Sequence, residues 1–146
     1  MSVSAEWELA NAGFMAQLKG LRDRADEGTG NSIVLIYTEA RPTSIADSHG
    51  FTPQASIVLA RPSGIFSGNA FVLQARDPGG VMVAKSGIPR WADWVAADGT
   101  ILLRANVSDM NNGGGWKVEG AETAEGETSP RLYSGGIVLL GSAVLT

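Results

Sequence analysis

Glycine and proline recur along almost the whole chain and limit the length of its regular elements. There are 19 glycines and six prolines in 146 residues. This punctuation favours many short strands and turns over long helices. The length is ordinary for one domain. We therefore expect a mainly β protein, an antiparallel β-sandwich of jelly-roll type, with one N-terminal α-helix.

The helix is predicted near the start of the chain. Phe14, Leu18 and Leu21 recur at the i, i+4, i+7 spacing of one helical face, within residues 5–27. We divide the chain into an N-terminal helical arm, residues 1–28, and a β-sandwich domain, residues 29–146. The helix either packs on the edge of its own domain or docks on a neighbouring subunit.

Short apolar runs predict the strands outside the central hairpin. They cover residues 33–38, 54–60, 69–76, 81–85, 116–119 and 136–145, with a turn over 61–64 after the second. The sequence around the fifth of these runs is rich in glycine, asparagine and glutamate. We therefore expect a long exposed loop over residues 107–130.

Residues 90–107 predict a β-hairpin around the two-residue turn Asp98-Gly99, of type I′. This register sets Asp93 opposite Arg104, a cross-strand ion pair that would contribute roughly 0.2–1 kcal/mol. Because side chains alternate along a strand, Trp94 and Ile101 should face the core. Trp91, with the charged pair, should then face outward, towards another protein or a covering loop of the same chain.

Composition excludes several classes of protein. The formal net charge is −4 and no basic stripe is present, so nucleic acid is not an expected partner. No apolar run approaches the roughly 20 residues of a membrane span, so no membrane partner is expected. The absence of cysteine excludes a disulfide scaffold and a thiolate zinc site. The N-terminus lacks signal-peptide features, which fits cytoplasmic synthesis.

No catalytic constellation is apparent. His49 is the single histidine; it follows Asp47 in a polar loop without a nucleophile-elbow context, and a solvated loop residue is expected. Asp109 opens a glycine-rich segment that lacks the further acidic ligands of a calcium loop. We expect no enzyme, no cofactor and no metal. A hydrolase that uses His49 or Asp93 is the alternative.

Two stretches resemble small virion proteins encoded in the structural gene clusters of tailed phages. The first is IYTEARP at residues 36–42, and the second runs from WADW through Asp98-Gly99 to RANV at residues 91–107. The resemblance implies a β-sandwich protein of the virion, first a capsid decoration or cement protein, with a tail or neck component as the alternative. Its implied partners are the phage major capsid protein, or tail proteins in that alternative, and other copies of itself, as a dimer or trimer. It carries over no catalytic residue.

Large aromatic side chains and arginine outside an obvious core pattern are typical of protein interfaces. On this ground the predicted contact residues are Trp7, Phe14, Trp91, Arg104 and Trp116. A carbohydrate-binding module is a further alternative, because exposed tryptophans on a β-sandwich stack on sugars.

Overall fold

The computed structural model describes residues 8–68, 70–141 and 144–145. Within them the chain forms one helix and nine strands. These are α1 (Asn11–Ala25), β1 (Ile33–Tyr37), β2 (Ala55–Ser67), β3 (Ala70–Ala75), β4 (Val81–Met82), β5 (Trp91–Val95), β6 (Ile101–Ser108), β7 (Trp116–Glu119), β8 (Ile137–Leu140) and β9 (Val144–Leu145). The predicted class, mainly β with one helix, is confirmed.

The described strands belong to a single mixed sheet. Their order is β4-β8-β7-β6-β5-β1-β2-β3-β9, and only the β6–β7 pair is parallel. The sheet curls, so that the chain leaving β4 returns to the start of β2, where the Ala84 amide donates to the Gln54 carbonyl at 2.8 Å. The two packed sheets of a sandwich or jelly roll are therefore not confirmed.

The core lies on one face of the central strands. Val34 on β1 sits between Ile57 on β2 and Trp94 on β5, and all three side chains are buried. Ile36, two residues along, points to the same side because side chains alternate. The predicted inward orientation of Trp94 is confirmed, and its ring lies 6.4 Å from that of Phe71 on β3.

The helix packs on its own sheet, which is one of the two arrangements that the sequence left open. Leu18 and Ala25 are buried in the core, and Phe14 packs against it while remaining partly exposed. The last turn is tied to the hairpin, because the Ala97 amide donates to the Ala25 carbonyl at 3.2 Å. The described helix begins at Asn11, so residues 8–10 of the predicted range are not helical, whereas residues 5–7 of that range lie outside the described residues.

The turn predicted over residues 61–64 is wrong, because β2 continues through it to Ser67. The register against β3 shifts between Leu59 and Gly64, which marks a bulge. A bulge accommodates Pro62, which has no amide hydrogen for a regular ladder. Gly64 is required there, since a Cβ atom would lie 2.4 Å from the Phe71 ring.

The hairpin has the predicted register next to its ion pair, with Asp93 opposite Arg104. The predicted turn type, I′, is wrong. A type I′ turn needs positive φ at both central residues. Gly99 has a φ of +94°, but the φ of Asp98 is not positive. Instead, the Gly99 amide donates to the Ala96 carbonyl at 2.9 Å, as in a type I turn followed by a glycine bulge.

The different turn moves one side chain to the other face. Val95 pairs with Ile101 and not with Leu102, because the longer loop shifts the register near the turn. Ile101 was expected in the core, but it lies on the same face as Asp93 and is partly exposed. The prediction for Ile101 is therefore wrong. The pairing near the turn is shifted by one residue, and a shift of one residue moves a side chain to the opposite face of the strand.

Candidate functional site

Trp91 and Arg104 lie on the predicted face of the hairpin, opposite Trp94, but this face is covered by the chain itself and not exposed. Trp91 is 0% exposed and Arg104 is 8% exposed. Both lie under residues 39–53, here called the covering loop. The Trp91 indole Nε1 donates to the Glu39 carbonyl at 2.9 Å, and Arg104 Nη1 donates to the Ser44 carbonyl at 3.2 Å. Of the two partners considered for Trp91, the structure contains the covering loop of the same chain.

The remaining predicted contact residues differ in their surroundings. Trp116 is buried, and its indole donates to the Ala92 carbonyl at 3.0 Å. Phe14 is partly exposed on the helix, and Trp7 lies outside the described residues. Contacts to another protein stay a prediction for all five residues. Contacts to another protein through Trp91, Arg104 or Trp116 would require the parts of the same chain that bury these side chains to move first.

Asp93 and Arg104 form a buried, two-pronged ion pair at the centre of this face. Arg104 Nε donates to Asp93 Oδ1 at 2.6 Å, and Nη2 donates to Oδ2 at 2.9 Å. The guanidinium also lies 4.6 Å from the centre of the Trp91 ring, a cation–π contact. The hydrogen bonds to Asp93 raise the pKa of Arg104 against the opposing effect of burial. Both carboxylate oxygens are therefore engaged in holding the structure.

His49 joins this cluster, so the expectation of a solvated loop residue is wrong. Its Nε2 atom lies 3.8 Å from Asp93 Oδ2. Its ring stacks on Phe51 at 5.3 Å and meets the rings of Tyr37 and Trp91 edge-on, at 4.9 and 5.2 Å. Burial, followed by the charge of Asp93, raises the pKa of Tyr37.

The pairing of His49 with Asp93 brings together the two residues named for a hydrolase. A catalytic histidine needs its second nitrogen within hydrogen-bond reach of a nucleophile. His49 Nδ1 is buried and has no hydrogen-bond partner among the described residues. What the structure shows is a packing role, because the His49 ring holds the covering loop against the rings of Tyr37 and Trp91 on the sheet.

A shallow cleft of about 310 Å³ opens between the covering loop and the hairpin. Leu35, Val95 and Ile101 form its apolar side, while Asp47 and His49 lie on its polar side. Such a surface can accept one apolar side chain. The sequence did not predict it, because Ile101 reaches this face only through the longer hairpin turn.

The glycine-rich segment after β6 is organised by Asp109. Its carboxylate accepts hydrogen bonds from the Asn111 amide at 2.9 Å, the Asn112 side chain at 2.8 Å and the Thr123 hydroxyl at 2.5 Å. These bonds, that from Thr123 first, lower the pKa of Asp109. No group of three histidine, aspartate or glutamate side chains converges on a metal position within the described residues. Asp109 thus closes its own loop.

Three strongly exposed apolar residues belong to β4, β8 and the turn before β8, at one end of the sheet. Met82 is 68% exposed, Tyr133 61% and Ile137 47%. Met82 on β4 and Ile137 on β8 are direct cross-strand partners and share one face, and Tyr133 lies in the turn that precedes β8. We call these three residues the edge patch. Sequence reasoning missed it, because β4 is too short to show a period.

No protein-family model, curated protein or solved structure matches this chain. The resemblance to virion proteins therefore stays a prediction. Among the described residues, no helix is both long and apolar enough to cross a bilayer.

Proposed function

We propose that this chain is a non-enzymatic structural protein of a tailed-phage virion, in the first place a decoration protein on the major capsid subunits. The proposal starts from the sequence resemblance at residues 36–42 and 91–107. Its site of action would be the assembled particle, after synthesis in the host cytoplasm. A tail or neck position is the alternative within the same virion.

The observation that carries the proposal is the edge patch. Exposed apolar side chains gathered in one place are typical of protein–protein contacts. Met82, Tyr133 and Ile137 supply such a surface without any movement of the chain. In this role they replace the predicted tryptophans, of which Trp91 and Trp116 are buried. A cement function needs at least about 1,000 Å² of total contact, so the edge patch would be the centre of a larger interface.

The state of the charged groups supports a structural role over a catalytic one. Asp93 is engaged by Arg104 and Asp109 by its own loop, and both are fixed by several hydrogen bonds. A general acid or base needs a proton-transfer atom that is open to substrate. The carbohydrate-binding alternative required exposed tryptophans, and the three tryptophans among the described residues, Trp91, Trp94 and Trp116, are buried. The finer fold that the resemblance implies, a sandwich, is supported only at the level of a mainly β domain.

The test is to look for the chain in purified virions produced by the genome that encodes it. Mass spectrometry should detect it, and quantitative gel densitometry should give its copy number. Hundreds of copies per particle are expected for a decoration protein, whereas about a dozen or fewer would place it in a neck or tail ring. Its absence from purified particles would overturn the proposal.

A matched pair of variants tests the edge patch itself. Ile137→Glu should abolish rebinding of the protein to particles that lack it, because a charge then enters the apolar contact. Ile65→Glu is the control, since Ile65 on β2 is equally exposed at 46% but lies outside the edge patch. Circular dichroism confirms that both variants fold. Equal rebinding of the two variants would exclude the edge patch as the contact.

A further inference from the structure

We infer that the chain forms a two-fold dimer in which an arginine-lined groove of each copy receives an acidic loop of the other. The groove consists of two adjoining hollows of about 490 and 400 Å³, which share Arg41, Asn106, Val107 and Thr128 on their walls. It lies at the open end of the β5–β6 hairpin, where β5 begins and β6 ends, beside the covering loop. The inference deepens the proposed function, because other copies of the chain are among its expected partners.

The groove is positively charged on a chain of net charge −4. Three arginines, Arg41, Arg90 and Arg104, line it with one acid, Glu39. Two of the arginines are neutralised within the chain: Arg104 by its buried partner, and Arg90 by a carboxylate 3.1 Å away. Glu39 is itself neutralised by Lys85 at 3.0 Å. One positive charge, that of Arg41, is left over.

The Arg41 side chain is fixed in position but still has free N–H groups for a carboxylate. Its Nη1 atom donates to the side-chain oxygen of Asn106 at 2.9 Å, and no carboxylate of the described residues lies within 4.0 Å of it. A guanidinium has five N–H groups, so this bond leaves several free. Because Asn106 already fixes the side chain, less conformational freedom is lost when a carboxylate binds in the two-pronged geometry.

The complementary charge lies in the same chain. Residues 119–127, here called the acidic loop, contain Glu122 and Glu125, which are exposed and form no ion pair among the described residues. The acidic loop leads directly into the groove wall: Glu127 binds Arg90, and Thr128 is held by the Asp109 amide at 2.8 Å. Groove and acidic loop are thus neighbours on one surface.

This adjacency suits a two-fold contact. In a two-fold dimer the same surface patch is used by both copies, so a contact of patch A with patch B is made twice. A groove beside an acidic loop satisfies that condition, since each copy offers both parts to the other. Such charge contacts set orientation and specificity more than affinity. They also weaken as salt rises, because the paired groups are exposed.

The experiment measures self-association of the full chain by sedimentation equilibrium at low salt. A dimer is expected. Arg41→Glu should raise its dissociation constant by at least about tenfold, because a groove that attracted the acidic loop would repel it. Arg76→Glu is the control, since Arg76 is exposed but lies outside the groove. A monomer under all conditions, or equal effects of the two variants, would overturn the inference.

A charge exchange separates recognition from a folding defect. The double variant Glu122→Lys/Glu125→Lys should also be monomeric on its own. When it is mixed with Arg41→Glu, both contacts of the two-fold interface become complementary again, and a mixed dimer should form. Failure of the mixture to associate would overturn the inference. Analysis of virions tests the proposed function separately, so that the two can fail independently.

Discussion

Replacing Asp93 with asparagine removes the charge that compensates a buried guanidinium. The side chain of Arg104 is 2% exposed and gives two hydrogen bonds to the carboxylate of Asp93. Breaking a buried ion pair by removing one partner costs about 3–5 kcal/mol, since the remaining charge is left without compensation. We therefore expect Asp93→Asn to lower the free energy of unfolding by about that amount. This is well above the value that the sequence suggested for an exposed cross-strand pair.

The matched control makes the same chemical change at the surface. Glu127→Gln removes the carboxylate that pairs with Arg90 at 3.1 Å, where both side chains reach solvent. An exposed pair contributes at most about 1 kcal/mol, because water already solvates both charges. The difference between the two variants therefore isolates the effect of burial.

Urea denaturation, followed by tryptophan fluorescence, gives both free energies. In a domain of this size the melting temperature of Asp93→Asn should fall by on the order of 10 °C. The double variant Asp93→Leu/Arg104→Met should recover part of the loss, because it leaves no uncompensated charge. If Asp93→Asn cost no more than Glu127→Gln, the pair would be solvated and the reasoning wrong.

Three further predictions concern the same region. Trp91→Ala should cost about 3–5 kcal/mol in urea denaturation and speed proteolysis within the covering loop, because the loop loses the ring on which it packs; unchanged cleavage would contradict this. Gly99→Ala should cost about 1 kcal/mol more than Gly113→Ala, since only Gly99 has positive φ; equal costs would refute the turn assignment. The pKa of Asp98 is lowered to about 2, chiefly by hydrogen bonds from Thr100. Its stabilising effect should be complete above its ordinary pKa of 3.8 and be lost as pH falls towards 2, and a carboxyl titration midpoint near 4 by NMR would contradict it.

Local patterns predicted the hairpin well and its turn badly. The alternation of apolar side chains sets Trp94 inward and Asp93 opposite Arg104, and the structure contains both features. The turn depends on which residues adopt positive φ. The Asp98-Gly99 pair suits a type I′ turn, but it also suits a type I turn with Gly99 in the bulge position. The anchoring of Ala97 on the helix is a tertiary contact that the pair itself does not encode.

The covering loop was harder to predict because its contacts join distant parts of the chain. Nothing periodic links Glu39 to Trp91 or His49 to Asp93, and loops do not repeat their burial at a fixed spacing. The sequence left a covering loop open as a partner of Trp91 without assigning it. The continuation of β2 through Pro62 was missed for a related reason: proline usually ends a strand, and the bulge is visible only in the pairing of β2 with β3.

The position of β1 in the sheet has a consequence for synthesis. Its two neighbours are β2, which follows soon, and β5, whose Val95 pairs with Ile33. A nascent chain therefore carries the apolar segment 33–37 with one side unpaired until Val95 has left the ribosome. Until then this segment can pair with the wrong strand. The order of translation therefore sets how long the risk of mispairing lasts.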